Sequence, residues 1–138
     1  MTTSTQNCEN LFLDNSDSSL TAMEQKSKEL KIRGVGIIAF LEDGKENWVS
    51  KMKVMGALKN EKVNFLAVAY SKAGEMVDTL KNSGTSDRTP LLGEFNFLGG
   101  LIEKVNNGYV LVVFSGATGE EDTVVAEVGL EFILSKLK

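Results

Sequence analysis

Residues 116–122, GATGEED, place two glycines, a hydroxyl and three acids between an apolar run and a helical pattern. A turn that leads into a helix can bind an anion through its free backbone amides. This stretch lacks the lysine and the glycine spacing of a phosphate-binding loop, and its acids would repel phosphate. A metal held jointly by Glu121 and Asp122 is also disfavoured, because adjacent helical residues point about 100° apart.

A structural interpretation of the same stretch needs no ligand. Thr118 and Glu121 have the spacing of a capping box, in which each side chain accepts a hydrogen bond from the backbone amide of the other residue. The acids at 120–122 suit the positive end of the helix dipole. The sequence therefore favours a strand-to-helix turn here, with anion binding by the turn amides as the alternative.

Catalytic chemistry is limited by two absences from the chain. It contains no histidine, and Cys8 is its only cysteine. An intrachain disulfide and multi-cysteine metal motifs are excluded, as is catalysis by Ser-His or Cys-His pairs, and the usual zinc sites lose their ligands. Ser115 also lacks the glycine two residues before it that a nucleophile elbow requires. An enzyme is therefore the least favoured class of protein, and no metal ligand set is predicted.

Length and composition indicate one globular domain. The chain has 138 residues, of which 42% are hydrophobic and 25% charged, close to the average for a single compact domain. A net charge of -4 with scattered lysines argues against a nucleic-acid partner. The N-terminus has no basic start followed by an apolar run, and no stretch approaches the ~18–20 apolar residues of a membrane span. We therefore expect a cytoplasmic protein without a membrane partner.

The order of predicted elements indicates an α+β fold. Residues 1–17 are predicted to be a loose tail, and residues 18–138 a single domain that begins with a short helix. Apolar runs at 32–40 and 109–114 predict buried strands, and Asp-Gly and Asn-Gly dipeptides predict hairpin turns. The order α-β-β-α-β-β-(β)-α predicts an antiparallel sheet of about five strands with helices packed on it.

The clearest helix is predicted at 60–82, with Asn60 as its N-cap and Gly84 after its end. One apolar stripe along this helix comprises Val63, Leu66, Ala67, Tyr70, Ala73, Val77 and Leu80. The opposite stripe comprises Phe65, Ala69, Lys72 and Met76. Since one sheet covers only one stripe, we expect a homo-oligomer, at least a dimer, with Phe65, Ala69 and Met76 partly buried between subunits.

The chain resembles the GlcG/HbpS family of haem-binding, or haem-degrading, domains over residues 20–135. That family has a double glycine, a turn glycine, a strand that closes in Ser-Gly and an acid-rich helix start. The matching features are Gly99-Gly100, Gly108, Ser115-Gly116 and Asp122. The segment AVAYSKAGEMVDTL, which contains Lys72, resembles the middle helix of the family.

The resemblance implies a profilin-like sheet whose central helix and Ser-Gly loop border a pocket, with haem or a related tetrapyrrole as the candidate ligand. It makes Lys72 and Arg88 candidates to pair with a propionate, and Tyr70 and Met76 candidates to approach iron. The candidate binding residues are Lys72, Tyr70, Met76, Arg88, Ser115, Gly116 and Thr118. Each of the first four also has an ordinary explanation: Tyr70 as a core residue, Met76 as packing, Arg88 as a solvated loop residue and Lys72 as a lysine that reaches water.

The function favoured by the resemblance is an oligomeric protein that binds or senses a small ligand. The alternative is an oligomeric structural or interaction protein without a ligand, and an enzyme of haem breakdown is less favoured.

Lys72 is the most informative of these residues, because an ammonium within an apolar stripe must reach water, a carboxylate or an anionic ligand. We expect it at the edge of a pocket beside the 115–122 turn. Its partner would be Glu75, an acid near that turn or the carboxylate of a small anionic ligand. Lys72→Met is expected to preserve folding and weaken the binding of such a ligand.

Overall fold

A computed structural model describes residues 8–137 of the chain. Its elements, in chain order, are α1 (Cys8–Glu29), β1 (Gly34–Glu42), β2 (Val49–Met55), α2 (Phe65–Thr79), β3 (Gly100–Val105), β4 (Gly108–Ser115) and α3 (Gly119–Lys136). The predicted α+β class and the order of elements are confirmed. The sheet has four strands where the sequence indicated about five, because residues 94–98 form a loop in which Asn96 has a φ of 57°, a left-handed value that a strand does not allow.

The sheet has the strand order β2-β1-β4-β3, and every neighbouring pair is antiparallel. The central strands β1 and β4 are covered on both faces, which explains why both are apolar at successive positions. β2 lies at an edge of the sheet and alternates between more and less exposed residues. Helices therefore pack on both sides of the sheet.

Each face of the sheet has its own hydrophobic cluster. On one face, α1 and α3 pack on side chains of β1 and β4 that include Ile38 and Phe114. On the other face, α2 packs on Ile37 and Val113. None of the helices within residues 8–137 is both long and apolar enough to span a membrane.

The prediction of a loose tail is wrong for residues 8–17, which form the first part of α1. Cys8, Phe12 and Ser16 recur every four residues and are buried, and the Phe12 ring stacks on Phe40 with 5.7 Å between ring centroids. The polar composition of the segment hid this narrow stripe, in which a serine takes the place of an apolar residue. Residues 1–7 of the predicted tail lie outside the described part of the chain.

α2 is shorter than the predicted helix and begins at Phe65. Asn64 is its N-cap and accepts a hydrogen bond from the Ala67 amide at 2.9 Å. The Asn60 side chain instead accepts from the amides of residues 62 and 63, in the turn before the helix. The helix ends at Leu80, which has a left-handed φ of 56°.

The stripe that contains Lys72 is the one that α2 turns toward the sheet. Phe65, Ala69 and Met76 are therefore buried in the core of a single chain, and their predicted position between subunits is wrong. The opposite face of α2 points outward and presents an uncharged stripe, called here the outer stripe: Ala67, Tyr70, Gly74 and Val77. The stripe that faces the sheet contains the charged Lys72. Hydrophobicity alone therefore favoured the opposite stripe of α2 as the one that faces the core.

Methionine side chains fill space above two glycines. A Cβ atom at Gly36 would lie 2.6 Å from the Met55 methyl carbon and 3.2 Å from that of Met23. At Gly129 of α3, a Cβ would lie 2.5 Å from the Met23 sulfur. Met23 therefore packs between a strand and a helix at positions where neither has a side chain.

Candidate functional site

A cavity of about 440 Å³ opens where three segments meet: the start of α2, the loop between α2 and β3, and the turn from β4 into α3. Its apolar lining residues are Val63, Phe65, Val68, Phe97, Leu98 and Ala117. Its polar lining residues are Asn60, Lys72, Asn96, Ser115 and Asp122. Small-molecule sites typically have this size, with mostly apolar walls and a few convergent polar groups.

Lys72 contributes a buried ion pair to this cavity. Its side chain is only 2% exposed, and its Nζ donates hydrogen bonds to Asp122 Oδ2 and to the Phe114 carbonyl oxygen, both at 2.9 Å. The second carboxylate oxygen of Asp122 accepts a hydrogen bond from the Ala117 amide at 2.9 Å. Of the three partners considered for Lys72, the structure has the acid of the turn, whereas Glu75 accepts a hydrogen bond from the Gly84 amide.

Burial acts on both members of this pair. Removal from water lowers the pKa of Lys72, and the Asp122 charge opposes that change. Removal from water likewise raises the pKa of Asp122, against the Lys72 charge and the amides of Ala117 and Gly116. The pair has no net charge whether its proton is on the Lys72 amine or on the Asp122 carboxylate. Removing the amine alone would leave Asp122 buried without its partner, so the expectation that Lys72→Met preserves folding is revised.

Gly99 permits the ion pair to form at this place. Its φ is 120°, a value that side chains rarely adopt, and a Cβ there would lie 2.5 Å from Lys72 Nζ and 2.8 Å from the Asp122 Cβ. The first glycine of the Gly99-Gly100 pair is therefore explained by the approach of Lys72 to Asp122. Sequence reasoning connected Lys72 to an acid near the 115–122 turn, but it did not connect the double glycine to Lys72.

Ser115 closes the inner end of the cavity at the last residue of β4. It is 3% exposed and lines the cavity, and its hydroxyl has no hydrogen-bond partner among residues 8–137. The adjacent Gly116 also lines the cavity. The structure thus brings together Lys72, Ser115 and Gly116 of the predicted site residues.

Thr118 caps α3 beside the cavity. Its Oγ1 accepts a hydrogen bond from the Glu121 amide at 3.2 Å, and Glu121 Oε1 accepts one from the Thr118 amide at 3.4 Å. The predicted capping box is confirmed. The turn from β4 into α3 therefore has the structural role that the spacing indicated.

The other three predicted residues lie away from the cavity. Tyr70 is 48% exposed and belongs to the outer stripe of α2. Met76 is fully buried between α2 and the sheet. Arg88 lies in the loop after α2, where it pairs with Glu94 at 2.6 Å and Asp78 at 2.8 Å. The hydrogen bond from Arg88 lowers the pKa of Glu94 to about 2.

Sequence reasoning missed the cavity wall that precedes the double glycine. Phe97 and Leu98 line the cavity and are about half exposed, and the rings of Phe95 and Phe97 stack with centroids 5.5 Å apart. The available signal was the run FNFL directly before two glycines, although an apolar run of this kind favours a strand or strand pair over a loop. Its loop conformation instead directs part of an apolar segment toward the cavity.

The cavity does not fit haem iron through ordinary ligation. Haem iron is usually held by histidine, cysteine, methionine or tyrosine, and none of these types is among the lining residues. Within residues 8–137 there is also no group of three or more acids or cysteines arranged to hold a metal ion. A porphyrin in this cavity would have to bind through its ring.

Comparisons with known proteins give the class to which the fold belongs. No family model matches the sequence, and no curated protein is significantly similar to it. Among solved structures, the chain is similar to protein ORFY of Klebsiella pneumoniae, with 18% identity, a TM-score of 0.56, and coverage of 98% of this chain and 97% of that one.

Two further similar structures are a haem complex and a variant of HbpS. PduOC in complex with haem has 16% identity and a TM-score of 0.55, over 85% of this chain and 91% of that one. A double mutant of HbpS from Streptomyces reticuli has 16% identity and a TM-score of 0.51, over 95% and 89%. The resemblance to GlcG/HbpS proteins is thereby confirmed at the level of the fold.

Proposed function

We propose that this protein binds a small, largely apolar ligand in the cavity between α2, the α2–β3 loop and the β4–α3 turn. The observation that supports this most directly is the combination of a volume of about 440 Å³, apolar walls and a buried polar floor. Ligand sites commonly combine mostly apolar walls with a small number of placed polar groups, as this cavity does.

The candidate ligand is haem or a related tetrapyrrole. PduOC, which has the same fold, was solved with haem, and Phe65, Val68 and Phe97 give the cavity apolar walls that suit a conjugated ring. Since the lining residues include no ordinary iron ligand, the proposal is that the ring and not the metal supplies the affinity. Lys72 is already neutralised by Asp122, so ligand carboxylates would lie at the open mouth.

The test is an absorbance titration of the purified protein with haemin and with iron-free protoporphyrin IX. We expect saturable binding of both at one per chain, with affinities within ~3-fold of each other, because binding does not depend on iron. Binding of haemin alone would contradict ring-based binding. If neither of these compounds nor an open-chain tetrapyrrole bound saturably, the proposed function would be overturned.

A pair of variants on α2 locates the binding site. Val68→Trp would fill the cavity and is expected to weaken porphyrin binding by at least ~10-fold, whereas Tyr70→Trp adds the same side chain on the outer face of the same helix and should bind normally. Circular dichroism checks that both variants are folded. Equal binding by the two variants would contradict the assignment of the cavity.

A second candidate function, an oligomeric interaction protein, is supported by the outer stripe of α2. The stripe has no charged residue, and Tyr70 and Val77 are 48% and 41% exposed. Met52 and Val54 of β2 are also exposed and lie on the same side of the sheet as α2, because they pair with Ile37 and Val35. Such a surface is suited to burial against another chain. The two functions are compatible, since the cavity and the stripe are separate.

A further inference from the structure

The floor of the cavity contains two hydrogen-bond donors that the chain itself does not use. One is the hydroxyl of Ser115, which has no partner within the described residues and belongs to a residue that is only 3% exposed. The other belongs to Lys72, whose ammonium has three N–H groups and gives two of them to Asp122 and the Phe114 carbonyl. Because Phe114 directly precedes Ser115, both donors lie at the end of β4.

The electrostatics of this floor disfavour a charged ligand group. Asp122 and Lys72 together have no net charge, so an incoming carboxylate would lose its hydration without meeting an unneutralised cation. It would also lie close to the Asp122 carboxylate, which is 2.9 Å from Lys72 Nζ. An uncharged carbonyl oxygen costs far less to remove from water and accepts two hydrogen bonds.

We propose that the floor of the cavity recognises an uncharged carbonyl oxygen of an otherwise apolar ligand, with Ser115 and Lys72 as the donors. This inference rests on the proposed function, because it names the group by which the same site selects its ligand. Among tetrapyrroles, open-chain members end in lactam carbonyls, whereas the closed porphyrin ring has none. The site therefore prefers an open-chain tetrapyrrole to a porphyrin.

Biliverdin IXα and protoporphyrin IX form a suitable pair of probes. Both are conjugated tetrapyrroles with two propionates, so differences in their binding report chiefly on the lactam oxygens and on ring opening. In absorbance titrations of the full chain, we expect biliverdin to bind ~5- to 10-fold more tightly than protoporphyrin, as one or two buried hydrogen bonds would provide.

Ser115→Ala distinguishes the contribution of the hydrogen bond to ligand affinity from the contribution of the shape of the ring. The change removes one donor and very little volume, so biliverdin affinity is expected to fall by ~5-fold while protoporphyrin affinity stays constant. Ser71→Ala is the matched control, because the Ser71 hydroxyl donates to the Val68 carbonyl within α2. Lys72 is left intact, since its removal would disturb folding.

Infrared spectroscopy gives a second readout that does not depend on affinity. The lactam carbonyl stretch of bound biliverdin is expected at lower frequency in the wild-type protein than in Ser115→Ala, because the variant lacks one of the two donors. Equal binding of both probes, or a Ser115→Ala variant that matches wild type in both affinity and carbonyl frequency, would overturn the inference and leave the proposed function standing. Failure of both probes to bind would overturn the two together.

Discussion

Asp122 accepts hydrogen bonds from two donors, the Lys72 ammonium and the backbone amide of Ala117. One carboxylate therefore joins α2 to the turn that begins α3. Asp122 also lines the cavity. Substitutions at this pair consequently affect folding before they can report on binding.

We predict that Asp122→Asn and Lys72→Met each lower the free energy of unfolding by about 3–5 kcal/mol, because each leaves a buried group without its partner. The double variant Lys72→Met with Asp122→Leu removes both charges and should cost less than the sum of the single changes. Urea unfolding followed by circular dichroism measures all three. A single variant as stable as wild type would show that the pair is not a buried link.

Thr118→Ala is predicted to lower the free energy of unfolding by about 0.5–2 kcal/mol through loss of the α3 cap. Ligand affinity should not change specifically, because the hydroxyl is used by the Glu121 amide. Thr123→Ala is the control in the same helix, since that hydroxyl only donates to the Gly119 carbonyl. An unchanged melting midpoint with abolished binding would instead make Thr118 a ligand residue.

The carboxyl of Glu94 is predicted to titrate with a pKa of about 2, below its ordinary value of 4.5, because Arg88 donates to both of its oxygens. A depressed pKa means that the pairing stabilises the loop fully above pH 4.5 and that this contribution is lost as the pH falls through about 2. Carboxyl NMR shifts report the titration. Arg88→Met should return the pKa toward 4.5, and Arg33→Met should leave it unchanged.

Among the elements, the strands and their turns were the most predictable part of the fold. Continuous apolar runs marked β1 and β4, and the Asp43-Gly44 turn has the positive φ of 84° that such a dipeptide favours. The beginning of α1 was missed, because Phe12 stands among polar residues and its partner Phe40 is distant in sequence. The inward face of α2 was misassigned for a similar reason: the partner that makes Lys72 acceptable inside lies on α3.

The helical start of α1 can be tested with two neighbouring residues. Phe12→Ala is predicted to cost about 3–5 kcal/mol of unfolding free energy, because the ring is fully buried against Phe40. Leu13→Ala, one position along the same helix, removes a side chain that is 36% exposed and should cost much less. Equal effects of the two changes in thermal or urea unfolding would contradict the packing of this segment.

At the scale of the whole molecule, the cavity combines segments that sequence separates widely. Lys72 and the 115–122 turn were associated through the family resemblance, and the structure has them in contact. Residues 96–98 could not be predicted to line the cavity, because the conformation of their loop depends on the left-handed Asn96 and on the pairing of Arg88 with Glu94. Neither feature leaves a periodic pattern in the sequence.

The homo-oligomer stays a prediction, now with the outer stripe of α2 as its interface. We expect light scattering at micromolar concentration to give at least a dimer mass, because the stripe is exposed and uncharged. Tyr70→Glu combined with Val77→Glu should reduce that mass, since two charges would be buried without partners. Glu127→Gln on the exposed side of α3 is the control. A monomer mass for the unmodified chain would rule out this interface.

The packing of Met23 against both Gly36 and Gly129 constrains how this sequence can diverge. A methyl group gained at Gly129 would enter the volume of the Met23 side chain, and one gained at Gly36 would meet the ends of both Met55 and Met23. An alanine at Gly129 therefore requires residue 23 to become shorter or turn aside, and an alanine at Gly36 requires Met55 to move as well. The order of substitutions therefore matters at Gly129, where the change at position 23 comes first. Residues 23, 36 and 129 lie far apart in the chain, on α1, β1 and α3. They are expected to vary together among related sequences.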